Sequence, residues 1–96
     1  MRRNEVLAVL HEHRPEIMAM GVSSLAVFGS VAREEAGAES DVDILVEFGQ
    51  PVGLFEFVRL QQRLEALLGR RVDLVTPDAL RPTMRDRILH EAIYAS

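Results

Sequence analysis

Three aspartates stand inside otherwise apolar runs of this sequence. Asp41 and Asp43 lie in Ser40-Asp41-Val42-Asp43-Ile44-Leu45-Val46 and are spaced by two residues. On an extended strand both side chains leave the same face, roughly 6 to 7 Å apart along it. Like charges at that distance, with a low-dielectric sheet behind them, raise each other's pKa unless a cation neutralises them. A hard divalent ion such as Mg²⁺ takes oxygen ligands, often one or two carboxylates together with substrate phosphates. Asp73, in Val72-Asp73-Leu74-Val75, is a third acid in an apolar segment. A strand paired beside the second one would add it to the same face. Three such carboxylates suit a pair of metal ions roughly 3.5 to 4 Å apart, the arrangement that serves phosphoryl transfer, and a single-ion site is also compatible.

Gly29-Ser30 falls where an apolar strand meets the start of a helix. Glycine there lets a phosphate approach the backbone, and the first turn of a helix presents unpaired N–H groups to an anion. The Ser30 hydroxyl adds a donor. Arg33, one turn further on, shares a helical face with Ser30 and is placed either to reach a phosphate or to pair with Glu34 or Glu35.

The elements that must position these groups follow from periodicity and caps. Asn4 caps a helix running to about Arg14, Pro15 restarts it, and Glu16 to Met20 continues until Gly21. Ser23 to Phe28 reads as a buried strand, Ser30 to Ala36 as a short helix closed by Gly37, and Ala38 to Ser40 as a loop. Asp41 to Phe48 is the second strand. Val52 to Leu68 is a long helix whose Phe55, Val58, Leu64, Leu67 and Leu68 supply the apolar side before Gly69 ends it. Arg71 to Thr76 is the third strand, and Thr83 to Ala95 a last helix opened by Pro82. The expected class is therefore α/β, one small mixed sheet of about three strands packed with helices; strand directions are not readable at this level.

A chain of 96 residues with 48% hydrophobic and 27% charged residues has room for one core, so a single domain over 1–96 is expected. The net charge of -4 argues against a broad nucleic-acid-binding surface, since backbone phosphates must be met by excess cations. Every basic residue is arginine, which removes Schiff-base and P-loop lysine chemistry. With no cysteine, disulfide frameworks and thiolate zinc sites are excluded, and a cytoplasmic location with no membrane span is the expectation. His11, His13 and His90 have no metal-ligand spacing and are read as surface or partly buried; Tyr94 is read as core packing, and Phe55-Glu56-Phe57 as helix-to-sheet packing. Arg70, Arg71, Arg81, Arg85 and Arg87 read as a solvated face.

Phe28-Gly29-Ser30 followed after ten residues by Asp41-Val42-Asp43-Ile44, with the later Asp73, resembles the signature of the polymerase-beta-type nucleotidyltransferases. More narrowly, Gly-Ser-Val-Ala-Arg, Ser-Asp-Val-Asp-Ile-Leu-Val, Val-Asp-Leu-Val-Thr-Pro and a final Ile-Tyr resemble the minimal nucleotidyltransferase (MNT) antitoxins, over nearly the whole chain. That resemblance implies the nucleotidyltransferase fold, Mg²⁺ held by Asp41 and Asp43 with Asp73 completing the metal site or activating the acceptor, and phosphates held by Gly29 and Ser30. It further implies ATP as donor and AMP placed on a tyrosine of a HEPN-domain toxin as partner; whether the chain forms a homo- or hetero-oligomer is left open by the sequence. An antitoxin that neutralises its partner by binding alone is the competing reading. Glu34 departs from the pattern, since relatives often carry glycine after the Ala-Arg pair.

Overall fold

Two seven-residue apolar strands pair antiparallel at the centre of the molecule. In the computed structural model, which describes residues 1–35, 37 and 40–95, these are β1 (Val22–Phe28) and β2 (Val42–Phe48). β3 (Val72–Val75) runs parallel to β2, and β4 (Ile93–Tyr94) runs antiparallel to β1, giving a mixed sheet of order β3-β2-β1-β4. The α/β class with one small helix-packed sheet is as expected from sequence, with four strands instead of about three. The helices are α1 (Arg3–Glu12), α2 (Arg14–Ala19), α3 (Gly29–Ala32), α4 (Leu54–Leu68) and α5 (Pro82–Glu91). Among the described residues no helix is long and apolar enough to cross a membrane.

The pleat sorts the residues of β2 strictly. Val42, Ile44 and Val46 point into the main core, where α1 contributes Val6 and Leu10, α2 contributes Ile17, and α4 contributes Leu60, Leu64 and Leu68. Leu45 points the opposite way, with Ala26 and Phe28 of β1, into a smaller cluster closed by Ile88 of α5. The α4 stripe is Leu60, Leu64 and Leu68 at four-residue spacing, so the buried face is rotated from the one expected: Phe55 is 75% exposed and Val58 borders on exposed at 37%. Phe57 takes the packing role, its ring 6.4 Å from that of Phe48. α4 also covers the outer edge of β3. Gln61 Nε2 donates to the Val72 carbonyl at 3.0 Å and the Val72 N–H donates to Glu65 Oε2 at 2.9 Å, so backbone groups at the start of an edge strand find partners.

Three boundaries differ from the sequence reading for identifiable reasons. α1 starts at Arg3, with the Arg2 N–H donating to Glu5 Oε1 at 2.9 Å, so an acid in the first turn does the capping assigned to Asn4. The last helix stops at Glu91: Ala92 turns extended, and Ile93-Tyr94, a β-branched and an aromatic residue, leave the helical pattern to pair with Val27 and Ala26 on the open edge of β1. Tyr94 is consequently 48% exposed on an edge strand and does not pack in the core. α3 ends at Ala32, well short of Ala36, which together with Ala38 and Glu39 lies outside the described residues.

The end of α3 is a Schellman turn built without glycine. The Glu34 N–H donates to Val31 O at 3.0 Å and the Glu35 N–H to Ser30 O at 2.8 Å. Glu34 therefore sits at φ 59°, and among the described residues it is the one non-glycine in that left-handed region. A Cβ there costs roughly 1–2 kcal/mol, whereas the Glu34–Arg3 contact at 3.9 Å between half-exposed groups returns little. Glu34→Gly is expected to leave the fold unchanged and raise unfolding stability by up to about 1 kcal/mol, the relief being partly offset by glycine's chain entropy. Urea unfolding of the two proteins checks it, and a clear loss of stability would refute the strain assigned to Glu34.

Candidate active site

The same pleat that buries Leu45 also lines up the acids. Cα pairing places Ala26, Leu45 and Val75 side by side across β1, β2 and β3, all facing α5. Two residues along each strand the row becomes Phe28, Asp43 and Asp73 on that same face. α5 covers the first row through Ile88 and leaves the carboxylates of the second at the rim, Asp43 half-buried and Asp73 exposed. The parallel pairing of β2 with β3 brings Asp43 and Asp73 directly opposite each other.

Asp41 falls just before β2 and is exposed, close enough for its charge to act on Asp43. Among the described residues no three His, Cys, Asp or Glu side chains converge into a preformed metal cage. What the fold brings together is the Asp43–Asp73 pair with Asp41 beside it. Burial pushes the Asp43 carboxyl up from 3.8 to about 6, and the negative charges of Asp73 and Asp41 and a hydrogen bond with Asp73 push the same way, against a smaller opposing pull from Arg33. An all-oxygen donor set that keeps a proton because it is part-buried and its charges repel fits a hard cation, which would replace that proton.

Gly29 seals the rim from the β1 side. Its φ is 71°, and a Cβ built on it would stand 3.0 Å from Asp43 Cγ and closer still to Oδ2. The loop backbone thus lies against the Asp43 carboxylate, an approach that a side chain would block and a conformation that glycine adopts without strain. Ser30 follows at the start of α3, half-buried. Arg33 pairs through Nε with Glu35 Oε2 at 3.0 Å, and through Nη1 with Glu91 at 3.1 and 3.2 Å; Glu34, the other partner expected for it, turns to Arg3 instead.

Glu91 is the residue that sequence reasoning missed. Its Oε1 also accepts the Gly29 N–H at 3.1 Å, so one carboxylate ties the end of α5 to the Gly29 loop and to Arg33. Nothing in local spacing marks it, because 62 residues separate it from Gly29 and it lies in what reads as uninterrupted helix.

Comparison with known proteins adds an independent line. The family model described as the nucleotidyltransferase domain matches residues 7–95. The chain is 43% identical over 91 residues to the protein adenylyltransferase MntA of Thermococcus cleftensis, covering 94% of this chain and 92% of that one. A solved structure provisionally described as a minimal nucleotidyltransferase superposes with a TM-score of 0.75 at 40% identity, covering 97% of this chain and 95% of that one. The fold also recurs, at 19% identity and a TM-score of 0.60 over 98% of this chain and 68% of the other, in the complex of a tri-AMPylated Shewanella oneidensis HEPN toxin with an MNT antitoxin.

The raised Asp43 pKa makes stability depend on pH. Below 3.8 the carboxyl is protonated in both folded and unfolded chains and carries no penalty; above about 6 it is ionised in both, and the fold bears the cost of the charge. Without divalent ions, Asp43→Asn is expected to match wild type near pH ~3 and to exceed it by about 1–2 kcal/mol at pH ~7, a value reduced for the screening of a half-exposed group. Thermal melts at the two pH values test this; an equal gain at both would show that charge is not the cause.

Proposed function

This chain belongs to the nucleotidyltransferase domain family, and we propose that it transfers AMP from ATP to a tyrosine of a HEPN-domain toxin, acting as an antitoxin. Enzyme class follows from the family. The donor site is carried by one observation, the row Phe28, Asp43 and Asp73 with the Gly29 backbone lying against Asp43. In this reading residues 1–96 form one minimal domain working in the cytoplasm. The protein acceptor is supported by the 43% identity to a protein adenylyltransferase, and the toxin partner by the fold shared with an MNT antitoxin complex.

Each residue then has a chemical task. Asp41, Asp43 and Asp73 would hold Mg²⁺, which supplies positive charge against the triphosphate and the leaving pyrophosphate when bound. Gly29 and Ser30 bind phosphate oxygens through the backbone and the hydroxyl, and Arg33 meets the triphosphate with its guanidinium. The acceptor oxygen attacks the α-phosphorus, the bond from that phosphorus to the bridging α–β oxygen breaks, and pyrophosphate departs with the electron pair. Asp73, the more exposed of the paired acids, would take the hydroxyl proton or complete the metal site.

Incubating the purified protein with α-labelled ATP, Mg²⁺ and a HEPN toxin partner should move label onto a toxin tyrosine. Asp43→Asn is expected to cut that transfer by at least about a hundredfold, equivalent to a few kcal/mol of lost charge stabilisation. Transfer by the Asp41→Asn, Asp43→Asn double variant at the wild-type rate would remove these acids from the chemistry. Neutralisation of the toxin by that variant at normal stoichiometry would favour binding over catalysis as the antitoxin activity.

A further inference from the structure

Glu91 sets a carboxylate on the donors that the Gly29 loop offers. It accepts the Gly29 N–H at 3.1 Å and takes Arg33 Nη1 with both oxygens, at 3.1 and 3.2 Å. Its side chain is 19% exposed but that of Arg33 is 39% exposed, so the ion pair lies at the solvent-facing rim, where screening reduces its strength. Arg33 Nε is engaged by Glu35 at the same time. An incoming phosphate therefore meets donors already satisfied by an acid, next to the Asp43–Asp73 pair.

We infer that Glu91 is an affinity-determining residue of the nucleotide site: its carboxylate holds the place of a phosphate on the Gly29 N–H and Arg33, and a nucleoside triphosphate binds by displacing it. The inference rests on the nucleotide site proposed above. Two anions cannot share one set of donors without bringing like charges into contact, so one must leave. The element carrying Glu91 is suited to leaving. α5 ends at that residue, Ala92 is already extended, and β4 holds to β1 through two residue pairs and the Ala95 N–H to Leu25 O bond at 2.9 Å, with Ile93 and Ala95 against the main core, so any loosening is confined to one short segment.

Titration calorimetry with Mg²⁺ and a non-hydrolysable ATP analogue tests this on wild type and Glu91→Gln, which keeps the side-chain shape without the charge. The variant is expected to bind roughly three- to tenfold tighter. Equal or weaker binding by a folded Glu91→Gln protein would overturn the displacement, marking Glu91 as a brace or a bystander. Hydrogen exchange on wild type carries the test if the variant does not fold: amides of residues 92–95 should exchange faster with the analogue bound, and slower or unchanged exchange would overturn the inference. Absence of analogue binding by folded wild type would instead remove the nucleotide site itself, a different failure from the first.

Discussion

A slip of one residue between β2 and its neighbours would turn Asp43 toward α1, α2 and α4 and send Ile44 to the rim, because side chains alternate across a sheet. Register is thus the constraint on which the site depends, and the core enforces it. Val42 and Ile44, both fully buried, flank Asp43 in sequence, and Val72 and Leu74 flank Asp73 in the same way. Burial of side chains of this kind is worth about 1.5–3 kcal/mol each, far more than the repulsion between two partly solvated carboxylates. The apolar neighbours win, and the acids are carried to the opposite face whether or not they gain by being there.

That arrangement has a local cost which the fold leaves in place. Asp43 holds its proton toward neutral pH because it is half-buried opposite one acid and near another. The Gly29 backbone lies against its carboxylate and leaves no room there for a side chain. Destabilised charge of this kind is what a bound cation would neutralise, so the same geometry that weakens the metal-free protein fits the metal-nucleotide site proposed above.

Past α5, the chain closes the site and the sheet with the same few residues. Ile93 and Tyr94 pair with β1, which otherwise ends the sheet with an open strand edge. That pairing draws the end of α5 beside Gly29, and Glu91 comes with it. The Gly29 loop and the last strand are therefore coupled through one side chain, although neither touches the other along the sequence.

Much of this was legible from residue order alone. The acids in apolar runs, the Gly29-Ser30 junction, the three principal strands and the α/β class all follow from alternation, turn chemistry and charge repulsion, which act over a few residues and leave a mark in spacing. Left-handed Glu34 stands where the family pattern has glycine, so that departure too was visible. The sequence could not say that β2 and β3 run parallel while β1 and β4 run against β2 and β1, nor that Asp73 faces Asp43 squarely, since pairing direction depends on contacts across the whole sheet. The rotated buried face of α4 depends on where the sheet presents its apolar surface, so Phe55 and Leu60 are equally plausible until packing chooses between them. Ile93-Tyr94 had a helical pattern and became a strand because β1 had an edge to fill. Glu91 gained its role the same way: an acid at a helix end carries no signal until tertiary contact sets it against Arg33.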